Sequence, residues 1–137
     1  MSRFLLDAVL ARDSFALGRA AACEVRLMNN AAVPWFIVVP ETSVTELCDL
    51  SAEERANLTG IVDATARFVR SEFAVDKLNV AAIGNLVRQL HVHVIGRCGE
   101  DYCWPGVVWG TAAPAPYAPA AVERIAAAWR ARGARAA

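Results

Sequence analysis

The segment at residues 51–73 limits the possible folds of this chain most, because it has the pattern of an amphipathic helix. Ser51 can cap the first helical turn, and Glu54 can complete a capping box. Residues that are apolar except for one threonine then recur at helical spacing: Leu58, Ile61, Val62, Thr65, Phe68, Val69 and Phe73. Most of the charged residues between them lie on the other side. An apolar stripe of this length must be buried, so the chain needs a second structural layer.

Two strand-like segments precede this helix. Residues 23–28 alternate apolar and polar side chains, which is the pattern of a half-buried strand. Asn29 and Asn30 are typical turn residues, and the β-rich run 35–39 ends at Pro40. The short connection predicts an antiparallel pair of strands.

Two further strands are predicted after the helix. Residues 78–83 and 90–95 are rich in apolar and β-branched side chains, and Gly84-Asn85 between them favours a bend. Strand pairs separated by one long helix are typical of an α+β domain. We therefore expect an antiparallel sheet of about five strands with the long helix packed on it.

The two ends of the chain carry weaker patterns. Residues 3–12 predict a short helix, and residues 13–18 a polar break followed by a turn. Near the other end, a Pro- and Ala-rich linker at 112–119 leads into a predicted helix at 120–132. The length of 137 residues and the lack of an internal repeat predict that residues 1–137 form a single domain.

Charge and hydropathy argue against two classes of partner. The chain has 14 Lys plus Arg and 14 Asp plus Glu, so its formal net charge is zero and it lacks the basic field typical of nucleic-acid binding. No apolar run approaches the roughly 20 residues that a membrane span needs, and the first residues do not have the pattern of a signal peptide. We expect a cytoplasmic protein without a membrane or nucleic-acid partner.

The four cysteines are scattered and form no CxxC pair, so reduced thiols are expected rather than disulfides or a zinc ribbon. Cys98 and Cys103 could join histidines around zinc. Their spacing matches none of the common zinc patterns, so we predict no metal site.

The only two histidines of the chain, His91 and His93, lie one residue apart in an apolar stretch. In a strand, Gln89, His91 and His93 share one face, with about 6 to 7 Å between neighbours, while residues 90, 92 and 94 face the core. A single ligand could then reach all three side chains. Two alternatives remain open at this point: a solvated strand face, and a two-histidine metal site that would need a third ligand.

The stretch 89–95 resembles the signature of the histidine triad family of nucleotide hydrolases and transferases, in which three histidines alternate with apolar residues. The resemblance extends further along the chain. Gly84-Asn85 resembles a Gly-Gln pair that precedes the triad, residues 104–106 resemble a Trp-Pro segment that follows it in the nucleoside phosphoramidase branch, and residues 23–40 resemble the nucleoside-binding half. Together these matches cover most of residues 20–110.

The resemblance implies a reaction. His91 would attack the α-phosphorus of a nucleotide, expel the leaving group and form a nucleotidyl-imidazole intermediate that water cleaves, while His93 would donate hydrogen bonds to phosphoryl oxygens. The implied substrate is a nucleoside phosphoramidate or a dinucleoside polyphosphate, with a purine base expected, and no cofactor is implied. The resemblance also implies a homodimer in which two sheets join edge to edge.

The resemblance also implies roles for residues that bind the nucleotide. Gly84 and Asn85 would hold the phosphate, since a glycine-containing bend allows close approach of the backbone. The remaining positions are Asn29 for the ribose hydroxyls, with Asn30 as the alternative, and Leu27, Ile37 and Trp104 around the nucleoside. For Leu27 and Ile37 the alternative is the hydrophobic core.

Three positions depart from the family pattern. Gln89 stands where the resemblance places the first triad histidine, and an amide that both donates and accepts hydrogen bonds can substitute for it. Leu86 replaces a Ser or Thr, and Trp35 replaces a further histidine, so both are expected to remove polar contacts from the site. A nucleotide-binding protein with little catalytic activity is therefore the alternative to an enzyme.

Overall fold

The computed structural model describes residues 3–112 and 115–133. Five antiparallel strands form one sheet in the order β1-β2-β3-β5-β4, with β1 and β4 at the edges. The strands are Ser14–Ala20 (β1), Cys23–Met28 (β2), Trp35–Pro40 (β3), Lys77–Ala81 (β4) and Val92–Arg97 (β5). The helices are Ala8–Asp13 (α1), Ala52–Glu72 (α2) and Pro119–Ala128 (α3), which continues into one wider turn, Trp129–Gly133. The expected α+β fold is confirmed.

Helix α2 forms as its sequence predicts and covers one face of the sheet. Ser51 Oγ accepts a 3.1 Å hydrogen bond from the Glu54 N–H, and the Glu54 carboxylate accepts a 2.9 Å bond from the Ser51 N–H. Phe68 packs edge-to-face against Phe36 of β3 and Trp129 at the C-terminus. The main hydrophobic core therefore lies between the sheet and the two longer helices.

Strand register places the two histidines on the face of the sheet that lies away from this core. Phe36 pairs with Val94, and both are fully buried on the α2 side. Ile37 pairs with His93, so these two residues point to the other face of the sheet. That second face is partly covered by the N-terminal segment, since Phe4, Leu6 and Leu10 pack on Ile37 and Val39.

Several predicted boundaries are corrected. Residues 13–18 do not form a break, because most of them belong to β1, which pairs with β2 despite a bulge between Ala16 and Gly18. The first helix covers 8–13 rather than 3–12, and the last begins at 119 rather than 120. The strands predicted at 78–83 and 90–95 lie at 77–81 and 92–97.

Strand β2 is not half-buried as its alternation predicts. Glu24 and Arg26 on its polar face are buried and form an ion pair with each other. Arg26 also donates to the backbone carbonyl of Ser14 at 3.0 Å, so it fixes the junction of α1 and β1. Both faces of β2 are therefore covered.

Two findings concern other regions of the chain. The predicted linker at 112–119 falls partly on residues 113–114, which lie outside the described residues. No helix in the described part of the chain is long and apolar enough to cross a membrane.

Candidate functional site

A cavity of about 430 Å³ opens on the histidine side of the sheet. Its polar lining comes from His91, His93, Asn85 and Asp13. The remaining walls are mostly apolar and come from α1, β2, β3 and the loops beside β5: Val9, Leu10, Met28, Trp35, Ile83, Leu86, Val87 and Trp109. Ligand sites commonly combine an apolar enclosure with a few polar groups.

His91 is held by the backbone of the residue two positions before it. Its Nδ1 lies 2.7 Å from the carbonyl oxygen of Gln89. A carbonyl oxygen can only accept a hydrogen bond, so Nδ1 of His91 carries the proton. The Nε2 atom of the neutral ring then holds a free electron pair, which is the form required of a nucleophile.

His93 has the opposite arrangement. Its Nδ1 accepts a 2.9 Å hydrogen bond from the indole N–H of Trp35, so the proton of the neutral ring lies on Nε2. Burial, and secondarily the charge of His91, lower the pKa of His93 to about 4. At neutral pH His93 is therefore an uncharged donor, and its ring centroid lies 4.9 Å from that of His91.

Trp35 corrects one expectation from the sequence. The replacement of a histidine by Trp35 predicts the loss of a polar contact, yet the indole N–H of Trp35 supplies the hydrogen bond that sets the tautomer of His93. Trp35 and Trp109 also enclose His93, with ring centroids 5.7 and 5.2 Å from the imidazole. The lowered pKa of His93 follows from this aromatic enclosure, because it removes water from the ring.

The loop between β4 and β5 brings Gly84 and Asn85 to the same cavity as the two histidines. Gly84 has a φ of +70°, a left-handed conformation that favours glycine, and it turns the chain towards the cavity. Leu86 lies at the rim with 99% of its surface exposed. Four of the predicted site residues thus share one cavity.

The side chain of Gln89 does not join them. Its Nε2 donates a 2.8 Å hydrogen bond to the carbonyl of Leu5, and its Oε1 accepts a 2.8 Å bond from the N–H of Asp7. Gln89 therefore contacts the N-terminal segment with its side chain and His91 with its backbone.

Four other predicted site residues lie outside the cavity. Leu27 points into the core beneath α2, so its place in a base pocket is wrong, and Ile37 is fully buried without bordering the cavity. Asn29 uses its side-chain oxygen to accept a 2.8 Å hydrogen bond from the N–H of Tyr117. Trp104 lies over the guanidinium of Arg97 at 5.6 Å.

Sequence reasoning missed three cavity residues. The sequence predicts Met28 as part of a half-buried strand and Asp13 as part of a break before a turn. For Trp109 the sequence shows only an apolar residue of the C-terminal third. Each lines the cavity. The apolar run 107–109 after Gly106 is typical of a buried loop, but its sequence does not predict contact with His93.

Within residues 3–112 and 115–133, no three His, Cys, Asp or Glu side chains form a group that could hold a metal ion. Cys98 and Cys103 belong instead to the surroundings of Arg97, whose guanidinium lies 3.5 Å from the sulfur of Cys103. The described geometry therefore gives the two histidines no third metal ligand from this chain.

Comparison with known proteins agrees with this architecture. The model of the HIT domain matches residues 10–100. A histidine triad protein from Marinobacter aquaeolei VT8 is 37% identical, with 99% of this chain and 100% of that chain covered and a TM-score of 0.93. A histidine triad (HIT) protein from Sinorhizobium meliloti 1021 is also 37% identical, with 94% and 96% covered and a TM-score of 0.90. No curated protein matches this chain significantly.

A third structure, the histidine triad protein from Bradyrhizobium japonicum, is 33% identical over 94% of this chain and 97% of its own, with a TM-score of 0.90. The matches extend over nearly the full length of all three proteins. The matched residues 10–100 include the paired histidines and the loop at Gly84-Asn85. The chain therefore belongs to the histidine triad family, and this membership supports a nucleotide-processing function in general.

Proposed function

We propose that this protein hydrolyses or transfers the nucleotidyl group of a nucleoside phosphoramidate or a dinucleoside polyphosphate through a nucleotidyl-His91 intermediate. One observation carries the proposal: the Gln89 carbonyl holds the proton on Nδ1 of His91, which leaves the electron pair of Nε2 free beside the cavity. A neutral imidazole in this tautomer is nucleophilic at neutral pH.

In the first step, Nε2 of His91 attacks the α-phosphorus and forms a P–N bond. The bond from phosphorus to the leaving group breaks, and its electron pair leaves with that group, which takes a proton from solvent. Because Nδ1 keeps its proton, the phosphorylated ring is an imidazolium, stabilised by the bond to the Gln89 carbonyl. Water then attacks phosphorus, loses a proton to solvent, and returns the electron pair to Nε2.

His93 acts as a hydrogen-bond donor to the phosphoryl oxygens during both steps. Its Nε2–H is available because Nδ1 accepts from Trp35. Developing negative charge on those oxygens is stabilised most by donors that are already oriented. We assign the phosphate to Asn85 and the backbone near Gly84, as the family resemblance implies.

The apolar walls of the cavity fit a nucleobase, and a purine is proposed. For the ribose hydroxyls we replace Asn29 by Asp13, because Asp13 lines the cavity and Asn29 does not. A carboxylate accepts hydrogen bonds from both hydroxyls of a ribose.

We also propose a homodimer in which two sheets join at their edges. Strand β4 is an edge strand, and Val80 is 50% exposed on it. Exposed strand edges pair readily with another chain. Size-exclusion chromatography with light scattering tests this assembly, and a monomer at micromolar concentration would contradict it.

A second candidate function is nucleotide binding with little catalysis. The observation in its favour is that few polar side chains line the cavity. Leu86 lines it at the position where the resemblance places a Ser or Thr. A zinc-dependent hydrolase ranks third. Elemental analysis showing one zinc per chain, lost when His93 is changed, would move it to first place.

The decisive experiment incubates the protein with adenosine 5′-phosphoramidate or a dinucleoside polyphosphate and looks for a nucleotidyl adduct by mass spectrometry. We expect the adduct on His91 and its absence in His91→Ala, which still binds AMP. Thr59→Ala on the exposed side of α2 is the control and keeps turnover. Nucleotide binding without turnover or adduct in the wild-type protein would favour the binding function instead.

A further inference from the structure

Gln89 makes two hydrogen bonds with its side chain, and both go to the backbone of the N-terminal segment. The amide N–H donates to the Leu5 carbonyl and the amide oxygen accepts from the Asp7 N–H, each at 2.8 Å. We call these two bonds the Gln89 amide clamp. They connect residues more than 80 positions apart in sequence.

The clamp acts on the element that forms one wall of the cavity. Asp7 is the N-cap of α1 and accepts a 2.8 Å hydrogen bond from the N–H of Val9. Val9 and Leu10 then line the cavity, and Leu10 is buried against Ile37 and Val39. Movement of Asp7 would therefore move the helix that encloses the site.

The backbone of the same residue holds the nucleophile, since the Gln89 carbonyl accepts from Nδ1 of His91. We propose that Gln89 is a positioning residue that fixes the α1 wall of the nucleotide cavity relative to His91. This inference rests on the proposed nucleotide function of the cavity. Its expected effect is on nucleotide affinity, because the side chain contacts the wall and not the histidines.

The clamp needs a side chain whose donor and acceptor lie side by side on one planar group. A primary amide has this geometry, and so does a protonated carboxyl group. In imidazole the two nitrogens point in diverging directions, so a histidine at position 89 could make only one of the two bonds. Methionine, of similar length, could make neither.

The test compares Gln89→Met and Gln89→Glu with the wild-type protein. For Gln89→Met we expect faster hydrogen exchange at the Asp7 amide, weaker AMP binding, and a rise in KM on the order of tenfold with a smaller change in kcat. For Gln89→Glu at pH 8, a carboxylate oxygen faces the Leu5 carbonyl and KM rises. As the pH falls to the ordinary glutamate pKa of about 4.3, the carboxyl group becomes protonated and can restore the clamp, so the ratio of its KM to that of the wild type falls towards one.

Thr59→Glu is the matched control, because it adds the same carboxylate to the exposed side of α2. Its KM ratio to the wild type should stay near one at both pH values. Each comparison is made with the wild type at the same pH, so pH effects that the two proteins share cancel.

Two results would overturn the inference. One is unchanged AMP affinity together with unchanged exchange at the Asp7 amide in Gln89→Met; a loss of kcat alone would then place Gln89 in the chemical step. The other is a KM ratio for Gln89→Glu that does not respond to pH. Hydrogen exchange and AMP binding do not need turnover, so failure of the proposed catalysis would leave this test intact.

Discussion

The indole N–H of Trp35 donates a 2.9 Å hydrogen bond to Nδ1 of His93, across the pair of neighbouring strands β3 and β5. This bond can form only while Nδ1 has a free electron pair, so it favours the neutral ring. The two histidines thus receive opposite tautomers from two different partners, a carbonyl for His91 and an indole for His93. In the proposed reaction, the His91 ring can attack phosphorus and the His93 ring can donate a hydrogen bond.

The first prediction removes the indole donor. In Trp35→Phe, the tautomer of His93 is no longer fixed and its pKa rises, because the neutral form loses a hydrogen bond. We expect a fall in kcat of about threefold to tenfold, equivalent to one hydrogen bond of roughly 0.5 to 1.5 kcal/mol. Nitrogen chemical shifts of the imidazole would show the mixed tautomers directly.

Trp104→Phe is the control for this variant, since Trp104 lies over Arg97 and not in the cavity. It should leave the tautomer of His93 and kcat unchanged. An unchanged tautomer in Trp35→Phe would contradict the role given to the indole.

The second prediction concerns stability at acid pH. Burial, and then the charge of His91, lower the pKa of His93 from 6.5 to about 4 in the folded protein. Below pH 6.5 the unfolded chain binds a proton at this residue that the folded chain does not. The free energy of unfolding should therefore fall as pH drops from 6.5 towards 4, by up to about 1.4 kcal/mol per pH unit from this group.

Urea denaturation of the wild type and of His93→Phe at pH 7, 5.5 and 4.5 isolates this contribution. Phenylalanine does not titrate, while the carboxylates titrate alike in both proteins. As the pH falls, the free energy of unfolding of the wild type should decrease more than that of His93→Phe. Parallel pH profiles would show that His93 titrates normally in the folded state.

The third prediction concerns a buried ion pair at the end of β5. Arg97 and Asp101 form two hydrogen bonds, of 2.8 and 3.0 Å, with only 1% and 3% of their side chains exposed. Asp101→Asn leaves the guanidinium buried without its counter-charge, which should cost about 3 to 5 kcal/mol in the free energy of unfolding.

Chemical denaturation measures that loss, and Arg12→Gln provides the comparison. Arg12 pairs with Asp13 at 2.8 Å, but 70% of its side chain is exposed. Removal of this surface pair should lower the free energy of unfolding much less than loss of the buried pair, because water screens exposed charges. Equal losses of unfolding free energy in the two variants would mean that burial does not increase the contribution of the Arg97–Asp101 pair to stability.

The fourth prediction uses the thiols. Burial raises the pKa of Cys23 to about 11, with a further contribution from Glu41, whereas Cys48 is exposed. At pH 8, iodoacetamide should modify Cys48 first and Cys23 only after unfolding, because the thiolate is the reactive form. Peptide mass spectrometry over a time course distinguishes the four sites, and early labelling of Cys23 would contradict its burial.

The sequence was most informative where one face of an element is apolar and the other is polar. Helix α2 follows its capping box and its apolar stripe, and β3 follows its β-rich run. Strand β1 was missed because Gly18 and the bulge interrupt its alternation. The pattern of β2 could not show that both of its faces are buried. Its alternation places Leu27 with Cys23 and Val25 on the core face, and only the resemblance suggested a base pocket for Leu27.

For the site, alternation alone placed His91 and His93 on one face, and the resemblance added the Gly84-Asn85 loop. The direction of the Gln89 side chain depends on a segment more than 80 residues away, so no local pattern contains it. The same holds for the hydrogen bond from Trp35, which depends on the register between β3 and β5.

The aromatic enclosure of His93 also gives the protein an internal optical probe. Two of the four indoles, Trp35 and Trp109, have ring centroids 6.0 Å apart at the edge of the cavity. A bound base or a phosphorylated imidazole beside them would change their fluorescence emission. Trp104 is 40% exposed and its emission can be quenched selectively by iodide. Stopped-flow fluorescence could therefore follow binding and adduct formation in the unlabelled protein.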